Sequence, residues 1–244
     1  MESAAGVRHT PAREPARPKI HGGTCDIYPL QVCLAWAAYR EHTISWLAFK
    51  VWCAVWLIQK WRCKKIRQGQ PYRFKRTDVC TIITGVNPKA LDDAFHELET
   101  ANILRLSDTT IWVATALEDV GDERVKARAA AMFAHLHANT RTSRMNFPRR
   151  LLTLIAQCGQ QVVRAATILG LLLRIMLVKR YHDYRGCVKA AWIAQLFGVS
   201  MHRVQSERTR LINEGLFRRL PTVQRVKNTY GEWVALPLVD AAPA

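Results

Sequence analysis

The 244-residue chain has no CxxC pair, no glycine-rich phosphate loop, no GxSxG elbow and no HExxH helix. The first absence argues against a zinc site. The odd total of seven cysteines, at positions 25, 33, 53, 63, 80, 158 and 187, argues against a disulfide framework. Most of these thiols fall in apolar helical stretches, where cysteine behaves as a small hydrophobe, so the chain reads as reducing and cytoplasmic. The missing loop, elbow and metal pair exclude the commonest nucleotide, acyl-transfer and metalloprotease sites. The eight histidines are scattered, and His135 and His137, two apart on a predicted helix, fall on different faces. No catalytic residue, metal ligand or cofactor is assigned, and the chain reads as a non-enzyme.

Long apolar runs are also missing. The N-terminus has no apolar signal-peptide core; it is rich in Pro, Arg and Ala through Lys19, which predicts a disordered basic arm over residues 1–26. The longest apolar stretch, Ile44 to Ile58, is shorter than the ~17 residues of a membrane span and contains Lys50. Trp46, Phe49, Cys53, Trp56 and Lys60 recur at helical spacing, so a core helix with packed tryptophans is expected. Attachment to an anionic membrane surface is the competing reading of that helix.

Acidic residues are scarce, 19 against 36 Lys and Arg, which leaves a net charge of +17. The excess is uneven. Residues 1–122 hold 16 basic and 13 acidic side chains, whereas residues 123–244 hold 20 and 6. Such an excess points to a polyanionic partner, and the C-terminal half carries it.

What the chain does contain is a gapless repeat at a spacing of 113 residues. Gly85-Val86-Asn87 answers to Gly198-Val199-Ser200, Leu91 to Val204, Leu98 to Leu211, Asn102 to Gly215, and Ile103-Leu104-Arg105 to Leu216-Phe217-Arg218. In each repeat a short apolar helix meets a Gly-Val turn, a polar residue caps a second helix, and that helix ends just before a strand. This is the grammar of a helix-turn-helix followed by a wing. The expected fold is mainly α with small β-wings: two tandem winged helix-turn-helix domains, residues 27–115 and 147–240, joined by a helical linker over 116–146.

In the first domain, helices are expected over 44–66, Lys75–Thr84 and Pro88–Ala101, with a wing hairpin from 103–107 and 110–115. In the second, helices are expected over 149–157, 162–181, 190–197 and Met201–Asn213, with Pro148 placed to open the first of them. A strand over Leu216–Val226 then turns at Asn228-Thr229-Tyr230-Gly231 into 232–236. Trp192, Leu196, Val199, Val204 and Leu211 have the spacing of the buried side of the helix pair.

The outward residues of the second repeat carry the chemistry. Ser200, Met201, His202, Arg203, Gln205, Ser206, Thr209 and Arg210 are predicted to face out from a helix that fits the major groove. Arg203 and Gln205 are the candidates for base readout, because Arg pairs bidentately with guanine and Gln with adenine. Arg208 and Arg210 are assigned to phosphates or the helix flank, and Arg218, Arg219, Arg225 and Lys227 to the wing's contacts with double-stranded DNA. The plain alternative is a solvated face in which Arg203, Arg208 and Arg210 pair with Glu207 and Glu214.

The first repeat is acidic where the second is basic. Its helix carries Asp92, Asp93, Glu97 and Glu99 beside His96, and phosphate repels such a surface. These five residues are assigned to interaction or homodimerisation. The other reading has this domain touching DNA through the Lys60–Arg67 and Arg73–Arg76 clusters.

At these residues the chain resembles the tandem winged-helix replication initiators of plasmids. Ala190-Ala191-Trp192-Ile193-Ala194-Gln195-Leu196-Phe197-Gly198-Val199-Ser200 also looks like the helix-turn-helix of bacterial regulators and phage replication proteins. The resemblance implies that one winged helix mediates dimerisation while the other binds repeated origin sites. A transcriptional regulator on a promoter palindrome, and a protein-interaction component of a mobile element, remain the alternatives.

Overall fold

The computed structural model describes residues 22–67, 75–107, 111–136, 145–177 and 184–237, and side chains up to Gln59 in the first of these segments. The described residues are mainly helical, with small antiparallel sheets. The first half runs β1 (Thr24–Ile27), α1 (Pro29–Arg40), α2 (Trp46–Arg67), a 3-10 turn (Arg76–Thr81), α3 (Pro88–Thr100), then the hairpin β2 (Leu104–Leu106) and β3 (Ile111–Val113). Helix α4 (Glu123–His135) follows, started by Asp122, whose carboxylate accepts the Arg124 amide at 2.8 Å and stays ionised below the usual range because of that bond. The second half runs β4 (Met145–Pro148), α5 (Arg149–Gln157), α6 (Val162–Leu177), β5 (Arg185–Val188), α7 (Ala190–Phe197), α8 (Met201–Asn213), β6 (Arg218–Arg219), α9 (Gln224–Tyr230) and β7 (Glu232–Ala235).

The sequence repeat is a backbone repeat. Gly85 (φ 76°) and Gly198 (φ 64°) are both left-handed, as are Asn102 (φ 54°) and Gly215 (φ 69°) at the far ends of α3 and α8. The first turns match as well: the Leu91 amide donates to Asn87 O at 3.0 Å and the Val204 amide to Ser200 O at 3.0 Å. At the C-termini, Ile103 donates to Leu98 O at 2.9 Å and Leu216 to Leu211 O at 3.0 Å, the long-range bond of a Schellman stop. Asn occupies the left-handed site in one repeat and Gly in the other because these residue types tolerate it best. Leu91, Leu98, Ile103 and Leu104 are buried, as are Val204, Leu211, Leu216 and Phe217. Leu98→Ala and Leu211→Ala are therefore expected to cost similar amounts, about 2–5 kcal/mol each, in urea unfolding of the full chain.

The repeats diverge at two places. The expected Lys75–Thr84 helix is a 3-10 turn of six residues, Arg76–Thr81, and the β-branched run Thr81-Ile82-Ile83-Thr84 that follows has weak helix propensity. The second wing is not the expected long strand and tight turn. β6 has two residues, Pro221 cannot donate to the ladder, and Gln224–Tyr230 is helical. β7 then pairs with both β6 and β5, giving the order β5-β7-β6.

The two halves are joined by more than the linker. β1 pairs antiparallel with β4, Thr24 opposite Pro148 and Ile27 opposite Met145. The expected arm thus ends in a strand, and the tail of the expected linker is its partner. A two-stranded pairing about 120 residues apart leaves no local pattern beyond the alternation of buried Cys25 and Ile27 with Thr24 and Asp26. Pro148 is the N-cap of α5 rather than its first helical residue.

One continuous core runs through both halves. α1 packs on α4, α2 on α3 and α5, and α6 on α7 and α8. Trp36 is fully buried; its ring meets Phe49 and Phe197 edge-on, and its Nε1 donates to Phe197 O at 3.1 Å. Trp46 Nε1 donates to Gly159 O, a second bond between halves. Trp46, Trp52 and Trp56 are packed in the core, and among the described residues no helix is long and apolar enough to cross a membrane.

Candidate nucleic-acid interface

Helices α7 and α8 are held at a fixed angle by apolar contacts and a left-handed turn. Ile193, Leu196 and Phe197 are buried on α7, and Val204 and Leu211 on α8. Gly170 on α6 admits Ile193, whose Cγ1 would lie 2.8 Å from a Cβ there. Trp192, expected on the buried side, is half-buried and faces α4 instead: it stacks on His135 at 5.6 Å, with the Arg174 guanidinium 5.4 Å from its ring. Its sequence spacing to Leu196 matches that of a core position, but α4 lies on that side.

The outward face of α8 is polar and cationic. Ser200, Met201, His202, Arg203, Gln205, Ser206, Thr209 and Arg210 are exposed. At ~100° per residue, His202, Ser206, Thr209 and Asn213 form the line opposite Val204 and Leu211. Arg203 and Arg210 flank that line on one side and Gln205 on the other. The Ser206 hydroxyl donates to His202 O at 3.2 Å and that of Thr209 to Gln205 O at 3.2 Å. Among the described residues Arg203 has no ion-pair partner. Asn213, at the C-terminal end of this line, was not among the expected contacts.

Arg208 is turned inward. Its Nη1 donates to Val188 O at 3.3 Å and its Nη2 lies 3.1 Å from Glu232, which ties α8 to β5 and β7. Burial lowers its pKa, and Glu232 opposes that shift. Glu232 also lies 3.6 Å from Arg219 and 3.4 Å from Lys227, so one carboxylate gathers three cations. Arg218, Arg219, Arg225 and Lys227 are all exposed, and Arg219 and Lys227 share Glu232 with Arg208 of α8.

A second clamp lies behind α8. Arg164, buried on α6, donates to Glu207 at 2.7 Å and to both oxygens of Glu214. The carboxyl of Glu214 is held below its usual range, first by that hydrogen bond. Arg210 completes the cluster at 2.9 Å from Glu214. Glu207 is therefore engaged from behind by Arg164 and does not neutralise Arg203. Arg164, one of two arginines in the apolar run Val162–Leu177, was the sequence signal for this clamp, since a buried charge demands a partner.

The acidic face of the first repeat is partly consumed inside the molecule. Glu97 accepts the Ser45 amide at the start of α2, and Glu99 pairs with Arg76 at 3.0 Å. Asp92 lies 3.6 Å from Arg76, and Asp92, Asp93 and His96 are exposed. The side chains of Lys60–Arg67 and the residues 73–74 fall outside the described residues, as does the arm over 1–21. No group of three His, Cys, Asp or Glu suited to a metal occurs among the described residues. Comparison with protein-family models, curated proteins and solved structures gave no match.

Proposed function

We propose that the chain is a sequence-specific binder of double-stranded DNA built from two winged helix-turn-helix units, with the second unit as the reader. The observation that carries this reading is the exposed His202–Ser206–Thr209 face of α8, clamped from behind by Arg164 and Arg208 and followed in the chain by four exposed cations, Arg218, Arg219, Arg225 and Lys227, two of which share Glu232 with Arg208. The order α6-β5-α7-α8-β6-α9-β7, with β7 central in its sheet, supports a winged helix there, with α9 inserted between the last two strands. A fixed polar helix can present donors and acceptors to base edges, and the cations beside it can hold the phosphates.

The first unit serves protein contacts, homodimerisation included, through Asp92, Asp93 and His96. Within this reading the chain is a replication initiator of a plasmid or other mobile element. A regulator of transcription is the alternative, and the DNA sites separate the two: direct repeats for an initiator, a palindrome for a regulator. The test is selection of bound fragments from genomic and random duplexes by the full-length chain, because the halves share a core. Enrichment of a defined site supports the proposal; no enrichment moves the function to protein interaction alone.

Arg203→Ala and Gln205→Ala are each expected to relax base choice by about 1–3 kcal/mol at one position. Replacing Arg218 and Arg219 by Ala should weaken binding to every sequence and reduce the salt slope by ~0.9 per lost phosphate contact. Titrations of matched and random duplexes at several salt concentrations check both. Equal losses on the two duplexes for all four substitutions would refute the division into readers and phosphate holders.

A further inference from the structure

Among the described residues three large apolar side chains are exposed: Met201 at 49 %, Val223 at 73 % and Tyr230 at 58 %. Two of the three bracket the unexpected helix α9. A separation of seven residues puts Val223 and Tyr230 on one side of that helix, with Lys227 between them. The support is braced: Trp233 N donates to the Thr222 hydroxyl at 2.9 Å, Leu220 N donates to Trp233 O at 3.0 Å, and Gly231 lies against the Val188 carbonyl. The apolar pair is thus held out on a fixed arm.

Its surroundings are one-signed. From Gly215 through Gly231 the sequence contains Arg218, Arg219, Arg225 and Lys227 and no Asp or Glu. The adjacent carboxylate, Glu232, is already shared by Arg208, Arg219 and Lys227. Charge complementarity therefore selects a polyanion as the occupant of this surface. Phosphates satisfy the cations and can accept from the Tyr230 hydroxyl, but offer nothing to Val223 or to the Tyr230 ring. Base faces and sugars do, and in duplex DNA an apolar wedge reaches them through the minor groove by parting a base step.

We infer that α9 is such a wedge: Tyr230 and Val223 enter the minor groove beside the site read by α8, part a base step and bend the duplex. The inference rests on the duplex-DNA reading above. It goes beyond that reading in assigning a DNA-deforming role to two residues that make no base-specific hydrogen bond.

The test uses the full-length chain and a duplex enriched by it from a random library, in circularly permuted fragments and with 2-aminopurine placed along the site. The wild-type chain should bend the duplex by roughly 20–90° and raise 2-aminopurine fluorescence at one step. The double substitution Val223→Ser with Tyr230→Ser should abolish both signals and weaken binding by about tenfold, the effect of one lost aromatic stack. Tyr230→Phe should keep both signals, and unchanged thermal unfolding shows that the variants fold. Bending by the double variant equal to wild type, or binding by wild type without bending, overturns the wedge alone. Failure of the wild-type chain to enrich any duplex overturns the DNA reading beneath it. Loss of binding to phosphatidylserine vesicles in the double variant, with bending unaltered, would assign the pair to a membrane surface instead.

Discussion

Gly231→Ala is expected to unfold the β5-β7-β6 sheet of the second half and to carry α8 with it. A Cβ at this position would sit 2.2 Å from the Val188 carbonyl oxygen and 2.5 Å from the Lys189 amide nitrogen, so the obstacle is backbone on both counts. The residue also has φ 96° and ψ −174°, a region open to glycine alone. Backbone strain of about 1–3 kcal/mol and a forced shift of similar size together give a loss of about 2–6 kcal/mol. β7 cannot move away to relieve the clash without breaking its pairing with β5, Val188 opposite Glu232, and that same Glu232 holds Arg208. Circular dichroism during urea unfolding should show the lost stability, and hydrogen exchange should show lost protection at Val234 and Ala235. Gly215→Asn is the control: position 215 is left-handed but has open space around it, and Asn already holds the matching position 102.

Arg164→Met should produce the second large effect. Arg164 is 7 % exposed and joins Glu207 to Glu214, so its removal leaves two carboxylates against the apolar side of α6. Removing one member of a buried ionic group costs about 3–5 kcal/mol; Glu207 and Glu214 retain some solvent, which sets the expectation nearer 2–4 kcal/mol. The pH dependence has a definite sign. The Glu214 carboxyl is more acidic folded than unfolded, so its pairing contributes stability above the ordinary carboxylate range and loses it as the pH falls through the folded value. Wild-type stability should therefore fall on acidification through that window, and the fall should be smaller in Arg164→Met. Urea unfolding at a series of pH values measures both. An equal slope in the two proteins would mean that Arg164 does not hold Glu214.

Much of α8 and its surroundings was legible in the sequence because it is governed by local rules. The left-handed stops at Asn102 and Gly215 and the core positions Leu91, Leu98, Val204 and Leu211 appear at the spacing of 113 residues and take equivalent places in the fold. Long-range choices were not legible. Nothing in Thr24–Ile27 names Met145–Pro148 as its partner, and nothing at Trp192 shows that α4 lies beside it. Side-chain partners were the other blind spot. Arg208 and Arg210, two residues apart, fall on different faces as the helical period requires, but nothing in the sequence names the Val188 carbonyl and Glu232 as the partners of Arg208. Arg203 and Gln205, grouped by residue type as base readers, stand on opposite flanks of a line centred on His202, Ser206 and Thr209.

The asymmetry between the repeats follows from the same geometry. α3 spends Glu97 on the amide end of α2 and Glu99 on Arg76, so part of its acidity is structural. α8 spends Glu207 and Glu214 on Arg164, which leaves Arg203 outward and unopposed among the described residues. Two similar backbones thereby present opposite surfaces, and the proposed division of labour rests on that difference.

The most direct measurement compares two triple variants of the full-length chain on an enriched duplex and on a random one. The first replaces His202, Arg203 and Gln205 by Ala, and the second replaces Asp92 and Asp93 by Ser with His96 by Ala. The account predicts that the first variant loses its preference for the enriched duplex while the second keeps the wild-type preference. Loss of preference in the α3 variant with retention in the α8 variant would contradict it.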